Sequence, residues 1–241
     1  MIPILMYHQI GEPAPKGTPY RGLTVHPKRF TQQMRWLKRF GYTGLSMQDL
    51  MPYLRGEKHG KVIGITFDDG YQNVLHNALP VLQALGFTST NYIVSNHLSG
   101  DNFWDHHKGI PRSALMSEAE LHQWLAAGQE IGSHTMDHVH LPEISAAQAQ
   151  QQIQQSKIDL ENRFQVEVTA FCYPYGHYNA TIQQWTQDSG YTNATTTARG
   201  LALNTDNPFE LPRVTVSRST HLLRFLQKCL TQLEHKKRFA S

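Results

Sequence analysis

The stretch that most constrains this chain is Ile63-Gly64-Ile65-Thr66-Phe67, an apolar run that stops abruptly at Asp68-Asp69-Gly70. It predicts a short buried strand with two adjacent carboxylates at its tip. Side by side the acids repel and raise each other's pKa, and a cation shared by one of them relieves that repulsion. Partners for a cation stand downstream in Gly132-Ser133-His134-Thr135-Met136-Asp137-His138. The two histidines are four apart, so one helical turn or a tight loop brings both imidazoles to one side. Asp69, His134 and His138 thus form a candidate two-histidine, one-carboxylate set with open positions. Such a set suits one divalent ion, zinc first, with cobalt, nickel or iron as alternatives. The plainer readings are a turn or helix N-cap for the aspartates and a pair of polar loop histidines for the motif.

Apolar runs alternate with helical periodicities along the rest of the chain. Strands are expected at 2–7, 42–45, 62–67, 89–94, 130–133, 169–173, 191–194 and 210–216. Helices are expected at 27–40, 47–55, 71–85, 117–128, 145–164, 179–189 and 220–236. Pro80 predicts a kink or break in the third of these, and Ser117-Glu118-Ala119-Glu120 reads as a capping box. Residues 11–21 and 95–116 read as loops. The alternation favours parallel βαβ units and an α/β fold. The candidate active residues fall at strand ends, where barrel enzymes place their chemistry. No linker or composition shift divides the chain, so one domain over 1–241 is expected, with a basic C-terminal helix from 220.

Charge narrows the function classes. A net charge of +3 and a pI near 8.8 are mild, and no basic run is interleaved with aromatics, which argues against nucleic acid. Cys172 and Cys229 give no disulfide framework, and Cys172 reads as a buried, inert thiol. No stretch approaches the ~18 apolar residues of a membrane span. Met1 to His8 has no basic region, and its apolar run is too short for a signal peptide, so a cytoplasmic location is expected. Arg224, Lys228, Lys236, Lys237 and Arg238 in the last helix read as a solvated face, or more sharply as a weak attraction to an anionic membrane surface.

Thr66-Phe67-Asp68-Asp69-Gly70 followed by Ser133-His134-Thr135-Met136-Asp137-His138 resembles the NodB-type polysaccharide deacetylases, a carbohydrate esterase family. The resemblance runs from the first strand to about Val216. It implies a distorted (β/α) barrel of about seven parallel strands. It also implies Asp68 as catalytic base and Asp69, His134 and His138 as metal ligands. In Tyr173-Pro174-Tyr175-Gly176 it implies that the Tyr175 backbone N–H receives the oxyanion. The arginine that such proteins often carry upstream to orient the base is absent from Ala170-Phe171-Cys172, and Arg213 is the substitute proposed. Their general acid is a histidine in an L-x-H motif. The literal match, Leu233-Glu234-His235, lies in a charged tail with no strand before it. His8 ends an apolar strand, which is similar to the circularly permuted branch that includes biofilm poly-N-acetylglucosamine deacetylases. Trp104, Pro174 and Arg213 are the candidates for the substrate side, with Trp104 equally able to plug the core.

The expected function is metal-dependent N-deacetylation of an N-acetylated glycan, releasing acetate. The rivals are hydrolysis of another C–N bond on the same scaffold, by a deformylase or amidohydrolase, and a catalytically inactive sugar-binding module. Loss of Asp68 or of a ligand would mark that last class, and neither is lost.

Overall fold

The computed structural model describes residues 1–238. Its strands, in chain order, are β1 (Ile4–Tyr7), β2 (Gln9–Ile10), β3 (Thr24–Val25), β4 (Thr43–Leu45), β5 (Val62–Phe67), β6 (Thr90–Ile93), β7 (Glu130–Ser133), β8 (Ala170–Cys172), β9 (Asn193–Arg199) and β10 (Leu211–Thr215). Seven of them run parallel in the order β1-β10-β9-β8-β7-β6-β5 and close into a barrel. The chain's first strand makes the closure. It pairs with β10 at Leu5↔Val214 and with β5 from Ile4↔Gly64 to Tyr7↔Phe67. β4 adds to the first half of β5, and β2 and β3 form a separate parallel pair.

The helices are α1 (Pro27–Arg39), α2 (Met47–Leu54), α3 (Gln72–Asn77), α4 (Leu79–Leu85), α5 (Glu118–Ala126), α6 (Ala146–Phe164), α7 (Ala180–Asp188), α8 (Leu222–Leu230) and α9 (Leu233–Arg238). Alternate side chains of each strand divide between two cores, as the pleat requires. Leu5, Tyr7, Ile63, Ile65 and Phe67 point outward and pack with helix residues such as Phe30, Met34 and Leu37 of α1. Ile4, Tyr92, Ala170, Cys172 and Leu211 belong to the inner cluster, together with Met47, Leu50, Met51 and Leu54 of α2. That helix therefore plugs the barrel. Gly64 permits it, since a Cβ there would stand 2.8 Å from Leu50. Gly132 likewise makes room for the Tyr92 ring, 2.5 Å from where its Cβ would be.

Several boundaries differ from the sequence reading. The break that Pro80 predicts in the helix at 71–85 is present and falls at Ala78, with Pro80 in the first turn of α4, where a missing N–H costs nothing. The strand expected at 191–194 runs from Asn193 to Arg199. The last helix breaks at Thr231, whose backbone is extended. The loop at 11–21 is flanked by β2 and β3, which the sequence did not announce. Among the described residues no helix is long and apolar enough to cross a membrane. Two cations of the basic run are engaged inside the fold: Lys228 donates to the Thr215 carbonyl at 2.7 Å, and Arg238 pairs with Asp206 at 2.8 Å. The side chain of Lys237 lies outside the described set.

Candidate active site

β5 delivers Asp68 and Asp69 to the C-terminal mouth of the barrel. The Asp68 N–H still donates to the Tyr7 carbonyl of β1 at 3.0 Å, so its backbone is part of the barrel. Asp69 turns sharply, with φ at +75°, and Gly70 continues the turn at +76°. Thr135, His138 and Tyr175 also adopt positive φ, at 67°, 55° and 59°. A left-handed non-glycine residue costs about 1–2 kcal/mol, and strain of this kind collects where function needs an unusual direction.

The turns converge three side chains. His134 follows β7, and its Nδ1 lies 2.7 Å from the Cys172 carbonyl. A carbonyl can only accept, so Nδ1 carries the proton and the Nε2 lone pair faces inward. Nε2 of His134 stands 3.4 Å from Asp69 Oδ1, and Nε2 of His138 stands 3.3 Å from the same oxygen. That oxygen is buried and has no hydrogen-bond partner among the described residues. These three ligand atoms lie within 4.8 Å of one another. Ligands 2.0–2.1 Å from a tetrahedral zinc stand about 3.3 Å apart, so the spacing fits a shared divalent cation.

Asp68 is held from the barrel interior. Arg213 of β10 donates from Nη1 to Oδ1 at 2.7 Å and from Nη2 to Oδ2 at 2.8 Å, a fork-to-fork pair. The guanidinium is itself fixed by the Thr196 carbonyl at 2.9 Å, the Thr66 hydroxyl at 3.0 Å and Cys172 Sγ at 3.2 Å. Burial raises the Asp68 pKa, and the charge and hydrogen bonds of Arg213 bring it below the usual carboxylate value. His8, directly after β1, places Nε2 3.9 Å from Asp68 Oδ2. Asp68, Asp69, His8, His134 and His138 all line one cleft of about 680 Å³.

Tyr175 stands on the 3₁₀ turn Pro174–Gly176, which Gly176 and His177 close with N–H bonds to the Tyr173 and Pro174 carbonyls. The Tyr175 ring packs edge-on to His138 at 4.5 Å and flat on His140 at 3.8 Å. Burial and the Asp105 charge push its phenol up to about 12, against the opposing pull of Lys108.

None of the three candidates for the substrate side lines the cleft. Trp104 is 8% exposed and stacks on the His138 ring at 4.8 Å, so it is the core plug of the two readings and braces a candidate ligand. Pro174 is buried behind its turn and does not line the cleft. Arg213 is fully buried and touches Asp68 rather than the cleft. His235 lies on α9, which packs on β9, and does not line the cleft either. Sequence reasoning missed Asp105, Lys108, Tyr20 and His177, all of which do. Each sits in a stretch without a periodic pattern, which left no signal in the sequence.

A closed parallel barrel carries, at its C-terminal mouth, a candidate carboxylate–histidine ligand set beside an arginine-clamped aspartate. Residues 55–194 match the profile of the polysaccharide deacetylases, and the chain belongs to that family. YxkH of Bacillus subtilis, assigned by name to the same family, is 31% identical over 218 residues, covering 90% of this chain and 71% of its own length. The poly-β-1,6-N-acetyl-D-glucosamine N-deacetylase of Staphylococcus epidermidis is 25% identical over 208 residues, covering 82% of this chain and 69% of its own. The structure of the Streptococcus pyogenes deacetylase PplD, in complex with acetate, superposes with a TM-score of 0.82 at 26% identity, over 95% of this chain and 97% of that one.

Proposed function

We propose that this chain removes the N-acetyl group from a GlcNAc-type residue of a polysaccharide, oligosaccharide or lipid-linked glycan. A divalent metal, zinc first, would be held by Asp69, His134 and His138. The observation that carries this reading is the contrast between neighbours at one strand tip. Asp69 faces the Nε2 atoms of two imidazoles, while Asp68, one residue earlier, is locked by Arg213. The activity in the name of the staphylococcal relative supports the substrate class.

A cation held by Asp69, His134 and His138 would supply a water of lowered pKa, near ~7, and positive charge to polarise the scissile carbonyl. The chain's own groups do the rest. Asp68 is ionised and takes a proton from the attacking water, and its two bonds to Arg213 fix which lone pairs remain for that task. An aspartate held below its usual pKa is a weak base, which an acidified water tolerates. As the water oxygen bonds to the carbonyl carbon, negative charge grows on the carbonyl oxygen. The Tyr175 N–H, set by its turn, donates to that oxygen without reorganising. His8, whose Nε2 stands 3.9 Å from Asp68, donates a proton to the amide nitrogen as the C–N bond breaks. Acetate and a free amino sugar leave.

The test is acetate release from N-acetylated β-1,6-linked glucosamine oligomers, before and after chelation. Release should stop on chelation and return with zinc. Hydrolysis that survives complete metal removal, or release of formate from formylated substrates in preference to acetate, would sink the reading.

A further inference from the structure

Beyond the Asp69 set, a second group of metal-binding side chains gathers at the mouth of the cleft, and it shares no residue with the first. His140 and Glu143 lie on the segment after His138, and His177 lies just past the Tyr175 turn. His140 Nδ1 stands 3.1 Å from His177 Nδ1 and 3.8 Å from Glu143 Oε1. The donor atoms of a tetrahedral cation with ligands at about 2.0–2.1 Å are about 3.3 Å apart. The two histidines already stand near that spacing, the His140–Glu143 pair is somewhat wider, and all three donor atoms lie within 4.8 Å of one another.

The aim of the ligands is set by packing. The His140 ring lies flat on Tyr175, with an interplanar angle of 5°, which fixes where its Nδ1 points. His177 is anchored by its own N–H to the Pro174 carbonyl at 3.1 Å. Without a cation, two imidazoles facing through Nδ1 can make only one N–H···N bond, and a metal ion replaces that proton between them. The cation beside Tyr175, Lys108, is already paired with Asp105 at 2.9 Å, and Glu143 brings the opposing charge.

We propose that His140, His177 and Glu143 form a second, weaker zinc site at the cleft mouth. It is weaker because Glu143 is 70% exposed and must give up side-chain freedom to bind, whereas all three members of the Asp69 set are buried. Its consequence rests on the function proposed above. His140 and His177 line the same cleft as Asp68, so a hydrated ion there stands across the path of the glycan and pins the Tyr175 turn. Zinc beyond one equivalent therefore slows turnover.

The metal-stripped full chain titrated with zinc chloride in a calorimeter tests the site without reference to activity. Wild type should show two binding events, one tight and one weaker. The double variant His140→Ala/His177→Ala should keep the tight event and lose the other. A single event in wild type overturns the proposal, as does a second event that persists unchanged in the double variant. Should the double variant not fold, Glu143→Ala, at an exposed position, carries the test. Its second event should weaken, and unchanged affinity overturns the assignment. In acetate release, the zinc concentration that halves turnover should rise in Glu143→Ala. Two calorimetric events without inhibition would remove the blocking role and leave the site. Absence of deacetylation in every sample would instead count against the proposed function.

Discussion

Asp68 lies just past the C-terminal end of β5, and Glu130 opens β7 at its N-terminal end, at 3% and 8% exposure. Burial pushes both carboxyls up. Around Glu130 the partners are neutral, the Thr90 hydroxyl and the Gln48 N–H, and its pKa stays raised. Around Asp68 the partner is a guanidinium, and the outcome reverses. Equal burial therefore does not make equal acids. The group proposed as the base is the one to which a charge has been brought across the barrel from β10. The other carboxylate ties the start of β7 to β6 and α2 and has no route to the cleft.

The largest way to break this contrast is to remove the charge. Arg213→Met leaves Asp68 buried and unpartnered, which should cost about 3–5 kcal/mol of stability in denaturant unfolding and abolish turnover. A loss below about 1 kcal/mol would mean that Asp68 does not depend on the clamp. Next in size, Asp68→Asn should lower turnover by on the order of 10²–10⁴ with the backbone unchanged. His8→Ala should fall in the same range if His8 is the proton donor, whereas His235→Ala, away from the cleft, should leave turnover unchanged. Losing activity in the second and keeping it in the first would reverse the assignment of the acid.

The smallest effect belongs to Glu130→Gln. Glu130 is raised in the fold above the ordinary 4.5. Its neutral form is thus favoured there, and its contribution to stability is present below pH 4.5 and lost as pH rises through the folded value. The glutamine variant lacks that loss. Unfolding free energies of the two proteins should drift in the variant's favour as pH rises, by about 1 kcal/mol or less, with acetate release unchanged. A drift in the opposite direction would show that Glu130 is ionised and satisfied in the fold.

What was legible in the sequence follows from the range of each interaction. The His134/His138 pair was legible because its spacing is local, and Asp69 because it ends an apolar strand, while their meeting rests on the pairing of β5, β6 and β7. The break at Pro80 was legible because a ring blocks a hydrogen bond within one turn. Arg213 could be nominated only as a replacement for a missing arginine, since its reach to Asp68 depends on barrel closure through β1. Trp104 could not be assigned, because an aromatic in an irregular loop carries no sign of which way it faces. Lys108, Asp105 and His177 were invisible for the same reason, and the split between α8 and α9 left no glycine or proline to announce it.

The central claim is that adjacent carboxylates at one strand tip do different work, Asp69 holding the metal and Asp68 moving the proton. The most direct test is the metal-to-protein ratio of Asp68→Asn, Asp69→Asn and His134→Ala, purified identically beside wild type. The expected result is near-wild-type metal in Asp68→Asn and loss of bound metal in the other two. Full metal in Asp69→Asn or His134→Ala, with metal lost from Asp68→Asn, would contradict it.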